Sequence, residues 1–111
     1  MRYRDFVAVY MMTNQPYGTL YIGVTSNLIG RVYEHREGLI PGFTRTWGLK
    51  RLAWYEPHET IIGAIRREKA LKRYLRDWKI NLIERDNPHW DDLYPTLTPP
   101  PEWKHDPPGP S

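Results

Sequence analysis

Arg31 and His35 stand one helical turn apart. Leu28, Arg31, Val32 and His35 follow the i, i+3, i+4, i+7 spacing that puts four side chains on one side of a helix. Leu28 and Val32 would bury there. The guanidinium and the imidazole would project together from the edge of that face, with Glu34 and Arg36 pointing elsewhere. A second helical pattern offers an acid. Ile61, Ala64, Leu71, Leu75, Trp78 and Leu82 recur as one apolar stripe, and the position four after Ala64 and three before Leu71 is Glu68. A carboxylate in a core-facing stripe is costly unless it is paired or holds a cation; an ion pair with an arginine at the core edge is the structural alternative. Two phenols complete the set, Tyr10 and Tyr21, each near the end of a strand-like run. Two tyrosines, one arginine, one histidine and a single glutamate suit phosphodiester hydrolysis. A divalent ion on Glu68 would polarise the phosphate. Arg31 would neutralise charge in the transition state, and a Tyr phenol or His35 would take the proton from water.

These residues need elements to hold them. Residues 6–12, FVAVYMM, are continuously apolar and predict a buried strand. Asn14-Gln15-Pro16-Tyr17-Gly18 has turn chemistry, so a second strand over 19–24 would close a hairpin. Thr25, Ser26 and Asn27 are candidate N-caps for a helix over 27–36. Gly30 weakens that helix by roughly 1 kcal/mol relative to Ala. Gly38 and Pro41-Gly42 end it and begin a loop. A third strand is expected over 50–56, closed by Pro57. Thr60 can cap a long helix over 61–76, followed by a helical piece over 77–85 that Asn87-Pro88 stops. The predicted architecture is an α/β domain with a small, three-stranded, mainly antiparallel sheet flanked by helices. The domain is expected over 1–94, and 95–111 form a Pro-rich extended tail that Trp103 could pin to the body.

The chain of 111 residues has the size of one domain, and without Cys it has neither disulfides nor thiolate metal sites. No apolar run approaches a membrane span, and the first residues lack the apolar core of a signal peptide. A soluble, cytoplasmic protein is therefore expected. The net charge of +3 hides an asymmetry: residues 1–83 carry 14 Lys and Arg against 7 Asp and Glu, residues 84–111 only 2 against 6. A basic body makes a polyanion a candidate partner. The expected contacts are Arg36, Arg45, Lys50, Arg66, Arg67, Lys69, Arg73 and Arg76.

The ordered motifs resemble the GIY-YIG nuclease superfamily, most closely its small single-domain bacterial members. Ala8-Val9-Tyr10 stands where the family name has Gly-Ile-Tyr, and Tyr21-Ile22-Gly23 is an intact second motif, 11 residues from Tyr to Tyr. The segment SNLIGRVYEHREG places Arg31 on the family's catalytic arginine and His35 on a histidine that many members carry four residues later. AIRREKALKRYLRDWKINLIE looks like the long helix, with Glu68 on the metal-binding glutamate. Asn81 is near the position of an asparagine found in many members, and its part in the site is open. The resemblance covers roughly 5–94. It implies the family fold and a Mg²⁺- or Mn²⁺-dependent endonuclease acting on DNA, with RNA or branched nucleic acid as alternatives and repair or recombination as settings. A nucleic-acid-binding module with a slow or unused site is the competing reading. A scaffold docking a protein through its Pro-rich tail is a third.

Overall fold

A computed structural model of the protein describes residues 5–97. Trp103 and most of the Pro-rich segment lie outside the described residues. The elements run in the order β1 (Ala8–Thr13), β2 (Leu20–Thr25), α1 (Leu28–Arg36), α2 (Phe43–Thr46), β3 (Arg51–Pro57), α3 (Ile61–Lys72) and α4 (Arg76–Asp86), with a 3-10 turn over Tyr94–Thr96. The three strands form one antiparallel sheet in the order β2-β1-β3. β1 is the central strand and is buried on both faces, which is why its sequence is apolar without alternation.

The pleat of β1 divides the core in two. Val9 and Met11 point into one cluster with Ile22, Trp54, Ala64, Leu71, Ile83 and Trp90. Ala8, Tyr10 and Met12 point into another with Leu28, Val32, Leu49, Leu52 and Leu97. The first face is covered by α3 and α4, the second by α1 and the chain after α4. The sheet therefore separates the helix carrying Arg31 and His35 from the helix carrying Glu68.

Three expectations from the sequence are corrected. The long helix ends at Lys72, and the chain turns at Leu75, whose extended backbone (φ −62, ψ 153) starts α4. No Gly or Pro marks this break. Arg76 helps to hold it by donating to the carbonyls of Tyr17 and Gly18 at 2.7 Å each. With the helix broken, the apolar stripe is interrupted: Ala64, Glu68 and Leu71 are buried, whereas Ile61, Leu75 and Trp78 are exposed. Second, residues expected as loop fold into the short helix α2 between Gly42 (φ 116) and Gly48 (φ 65), left-handed positions that favour glycine. Third, α1 is not capped by the side chains of Thr25, Ser26 or Asn27. Asp5 caps it from outside, its carboxylate accepting from the amides of Ile29 at 2.7 Å and Gly30 at 3.0 Å. Thr60 does cap α3, accepting from the Gly63 amide. The body also continues past Tyr94, because Leu97 is buried in the second cluster.

Candidate active site

Tyr10 and Gly23 are paired across β1 and β2. A Cβ on Gly23 would lie 2.5 Å from the Cζ and hydroxyl of Tyr10, so the phenol lies against the bare backbone of the glycine. From there the Tyr10 hydroxyl reaches His35 Nε2 at 2.9 Å. The other imidazole nitrogen, Nδ1, is 3.0 Å from Thr44 Oγ1 on α2. His35 is thus 4 % exposed and held on both sides, not projected from the edge of α1. Tyr21 packs beside it: its ring is edge-on to His35 at 5.7 Å and tilted against Tyr10 at 6.3 Å. Thr44 and α2 were not legible as site elements, since only the fold brings that hydroxyl to the imidazole.

Burial sets the charge states. It pushes the Tyr10 phenol well above its ordinary value, Tyr21 adds to the shift, and the Arg31 charge pulls part of it back. Burial also lowers His35 below the usual imidazole value, helped by the positive charge of Arg31 and opposed by Glu34. Both groups are therefore neutral near pH 7. A neutral imidazole offers one donor and one acceptor, so the chain from Tyr10 through His35 to Thr44 can be satisfied throughout.

Arg31 is half-buried and bonds Glu34, Nε to Oε1 at 3.2 Å, which corrects the expectation that Glu34 points elsewhere. Beside Arg31 lies a hollow of about 340 Å³ lined by residues of the β2–α1 junction, among them Ser26, Asn27 and Gly30, with Glu34 and Ile61. Ile61 comes from α3, so both layers meet there around the edge strand β2.

Glu68 is 9 % exposed and stands on α3 between Ala64 and Leu71, which pack in the opposite layer. Its carboxylate pairs with Lys72 one turn on, not with a core-edge arginine. Asn81 is exposed on α4. Among the described residues no three His, Asp or Glu side chains gather as a preformed metal cage. One carboxylate nevertheless fits Mg²⁺, which keeps several waters and takes substrate phosphate oxygens; Glu68 can serve once Lys72 releases it.

The basic residues divide. Arg36 pairs with Asp92 and lies over the Tyr94 ring at 4.6 Å. Arg67 is held by Glu56 and Arg76 by the carbonyls noted above, so these three have intramolecular work. Arg45, Lys50, Arg66, Lys69 and Arg73 are exposed.

A family model of the GIY-YIG catalytic domain matches residues 6–81, a span that contains Tyr10, Tyr21, Arg31, His35 and Glu68. The chain belongs to the GIY-YIG family. This is a family of nucleases, and the three-stranded antiparallel sheet with flanking helices agrees with its α/β fold. Among curated proteins, the chain is similar to the UPF0213 proteins of Staphylococcus aureus strains Mu3, N315 and USA300. Each is 33 % identical over 67 residues, 60 % of this chain and 82 % of the relative. No solved structure matches significantly. No helix among the described residues is long and apolar enough to cross a membrane.

Proposed function

We propose that this GIY-YIG protein is a divalent-metal-dependent endonuclease that hydrolyses phosphodiester bonds in DNA. The observation that carries the reading is the buried Tyr10–His35 hydrogen bond of 2.9 Å with the charge of Arg31 beside it. A free Tyr10 phenolate is disfavoured by burial, so Tyr10 works as a relay. It passes its own proton to the neutral Nε2 of His35 as it takes one from the attacking water. The lowered basicity of His35 keeps Nε2 open to accept. Thr44 and Tyr21 hold the imidazole in place. Tyr10 is 1 % exposed, so substrate binding has to open this face. Arg31 is the group placed to do so, exchanging Glu34 for a phosphate oxygen and then neutralising the charge that builds on phosphorus. α3 reaches the hollow beside Arg31 around the edge strand through Ile61. Mg²⁺ or Mn²⁺ held by Glu68, seven residues on along that helix, would supply Lewis-acid stabilisation to a phosphate bound across this edge. Arg45, Lys50, Arg66, Lys69 and Arg73 supply salt-sensitive attraction to the backbone of the nucleic acid.

The Glu68–Lys72 pair supports a second reading, a nucleic-acid-binding module with an unused site, because an ammonium already neutralises the carboxylate. The two part on cleavage. Purified protein with Mg²⁺ or Mn²⁺ is offered plasmid, branched and single-stranded DNA, and RNA alongside. Cleavage of DNA that is lost in both Glu68→Gln and Arg31→Ala supports the endonuclease. Cleavage that survives Glu68→Gln rejects the assignment of Glu68, and binding without cleavage on every substrate selects the second reading.

A further inference from the structure

The aromatic packing around His35 does not stop at the site. Tyr21 stacks on Phe43 with the ring planes 27° apart and the centroids 6.4 Å apart. Phe43 in turn meets Trp47 at 6.4 Å. Phe43 is 48 % and Trp47 59 % exposed, a large apolar area for a monomer surface to leave in water. Phe43 opens α2 and Trp47 is the residue that caps its end, within a compact turn bracketed by Gly42 and Gly48. Its inner side is anchored, since Thr44 bonds the catalytic-set histidine. The surrounding stretch from Gly38 to Tyr55 contains the exposed cations Arg45 and Lys50, with Arg51 tied to the Trp90 carbonyl, and it has no acidic residue of its own.

Exposed rings with a cation between them, on a segment without carboxylates of its own, match the chemistry of an unpaired nucleotide. The rings offer π-faces to a base, and the cations take its phosphates. A paired base inside a duplex offers no free face to such rings. The rings run outward from Tyr21, which itself packs on Tyr10 and His35, so they continue the aromatic wall of the site.

We propose that α2 is a base-stacking platform, with Phe43 and Trp47 holding one unpaired nucleotide beside the scissile phosphate and Arg45 holding its backbone. It rests on the nucleic-acid reading above and names the substrate class: DNA with an unstacked nucleotide at the cut, as in a single strand or a flap.

Binding is measured in EDTA, which separates it from catalysis. The probes are a blunt duplex, one of its strands alone, and the same duplex with a short unpaired flap. The variants are Phe43→Ala/Trp47→Ala, the ring-keeping pair Phe43→Tyr/Trp47→Phe, and Trp78→Ala. Trp78 is an exposed ring on α4, in the other layer. Melting curves confirm that each variant is folded. The double alanine variant should lose about tenfold in affinity for the strand and the flap and less than about twofold for the blunt duplex. The ring-keeping pair and Trp78→Ala should bind like wild type. Equal losses on all three probes, or no loss on any, overturns the platform, and so does a Trp78→Ala loss as large as that of the double variant. If wild type binds none of the probes, the platform and the nucleic-acid reading both fall. If wild type cleaves DNA and the double alanine variant binds unpaired DNA normally, the platform alone falls.

Discussion

Gly23→Ala tests how the site is built. Glycine in a strand interior is entropically unfavourable, so on backbone grounds alone alanine would stabilise by about 0.5–1 kcal/mol. The structure predicts the opposite sign. The new Cβ would lie 2.5 Å from Tyr10 Cζ and hydroxyl and 2.8 Å from Cε1, distances that real Cβ contacts do not show. The Tyr10 ring is fully buried on the central strand and cannot swing into solvent. Either the hairpin shifts or the ring leaves His35. Overpacking of this kind costs about 1–3 kcal/mol. A Tyr10 hydroxyl and His35 Nε2 left buried without each other cost about 1–3 kcal/mol more. The net expectation is a loss of about 1–5 kcal/mol, which lowers Tm by roughly 5–25 °C for a domain of this size. Thermal melts measure it. A double-mutant cycle with Tyr10→Leu locates the cause, because leucine lacks the ring atoms that the Cβ meets. In that background Gly23→Ala should cost less than about 1 kcal/mol. A Gly23→Ala protein as stable as wild type, or an equal loss in the Tyr10→Leu background, would refute the reasoning.

Three further outcomes are expected. Glu68→Gln removes a one-turn ion pair and also a charge from a nearly closed position, so stability should change by less than about 1 kcal/mol. The Mn²⁺-induced rise in Tm expected of wild type should vanish, and a variant that is clearly less stable yet keeps the rise contradicts the metal assignment. His35 has a lowered folded value, so the unfolded chain binds its proton first as pH drops. Its contribution to stability should be fully present above the ordinary value of 6.5 and lost as pH falls through the folded value. Tm of wild type minus that of His35→Gln, followed over that window, should shrink with acid; a flat difference shows that His35 does not titrate as described. Leu97→Ala should cost about 2–5 kcal/mol, the range for a buried leucine. Shortened chains should therefore end after Leu97 and not after Tyr94, and an unchanged Tm for Leu97→Ala would show that this end of the chain is not part of the core.

Local periodicity carries what can be read from the chain alone. The unbroken apolar run of β1 comes from burial on both faces. Thr60 before Ile61 marks a helix start because a side-chain oxygen is needed where backbone amides lack partners. The place of Glu68 between Ala64 and Leu71 follows from 3.6 residues per turn, and the structure does bury it. The partners come from the packed fold. The imidazole of His35 is closed in by Tyr10, 25 residues away, and by Thr44 on a helix with no apolar period to announce it. Asp5 displaces three nearer candidates as the cap of α1. Arg31 takes Glu34 and Glu68 takes Lys72, whereas an Arg31–Glu68 pair was equally open to a reader of the sequence. Periodicity says which side of an element is apolar. Which side chains then meet depends on how elements far apart in the chain pack, as where Arg76, just past the end of α3, donates to the carbonyls of Tyr17 and Gly18.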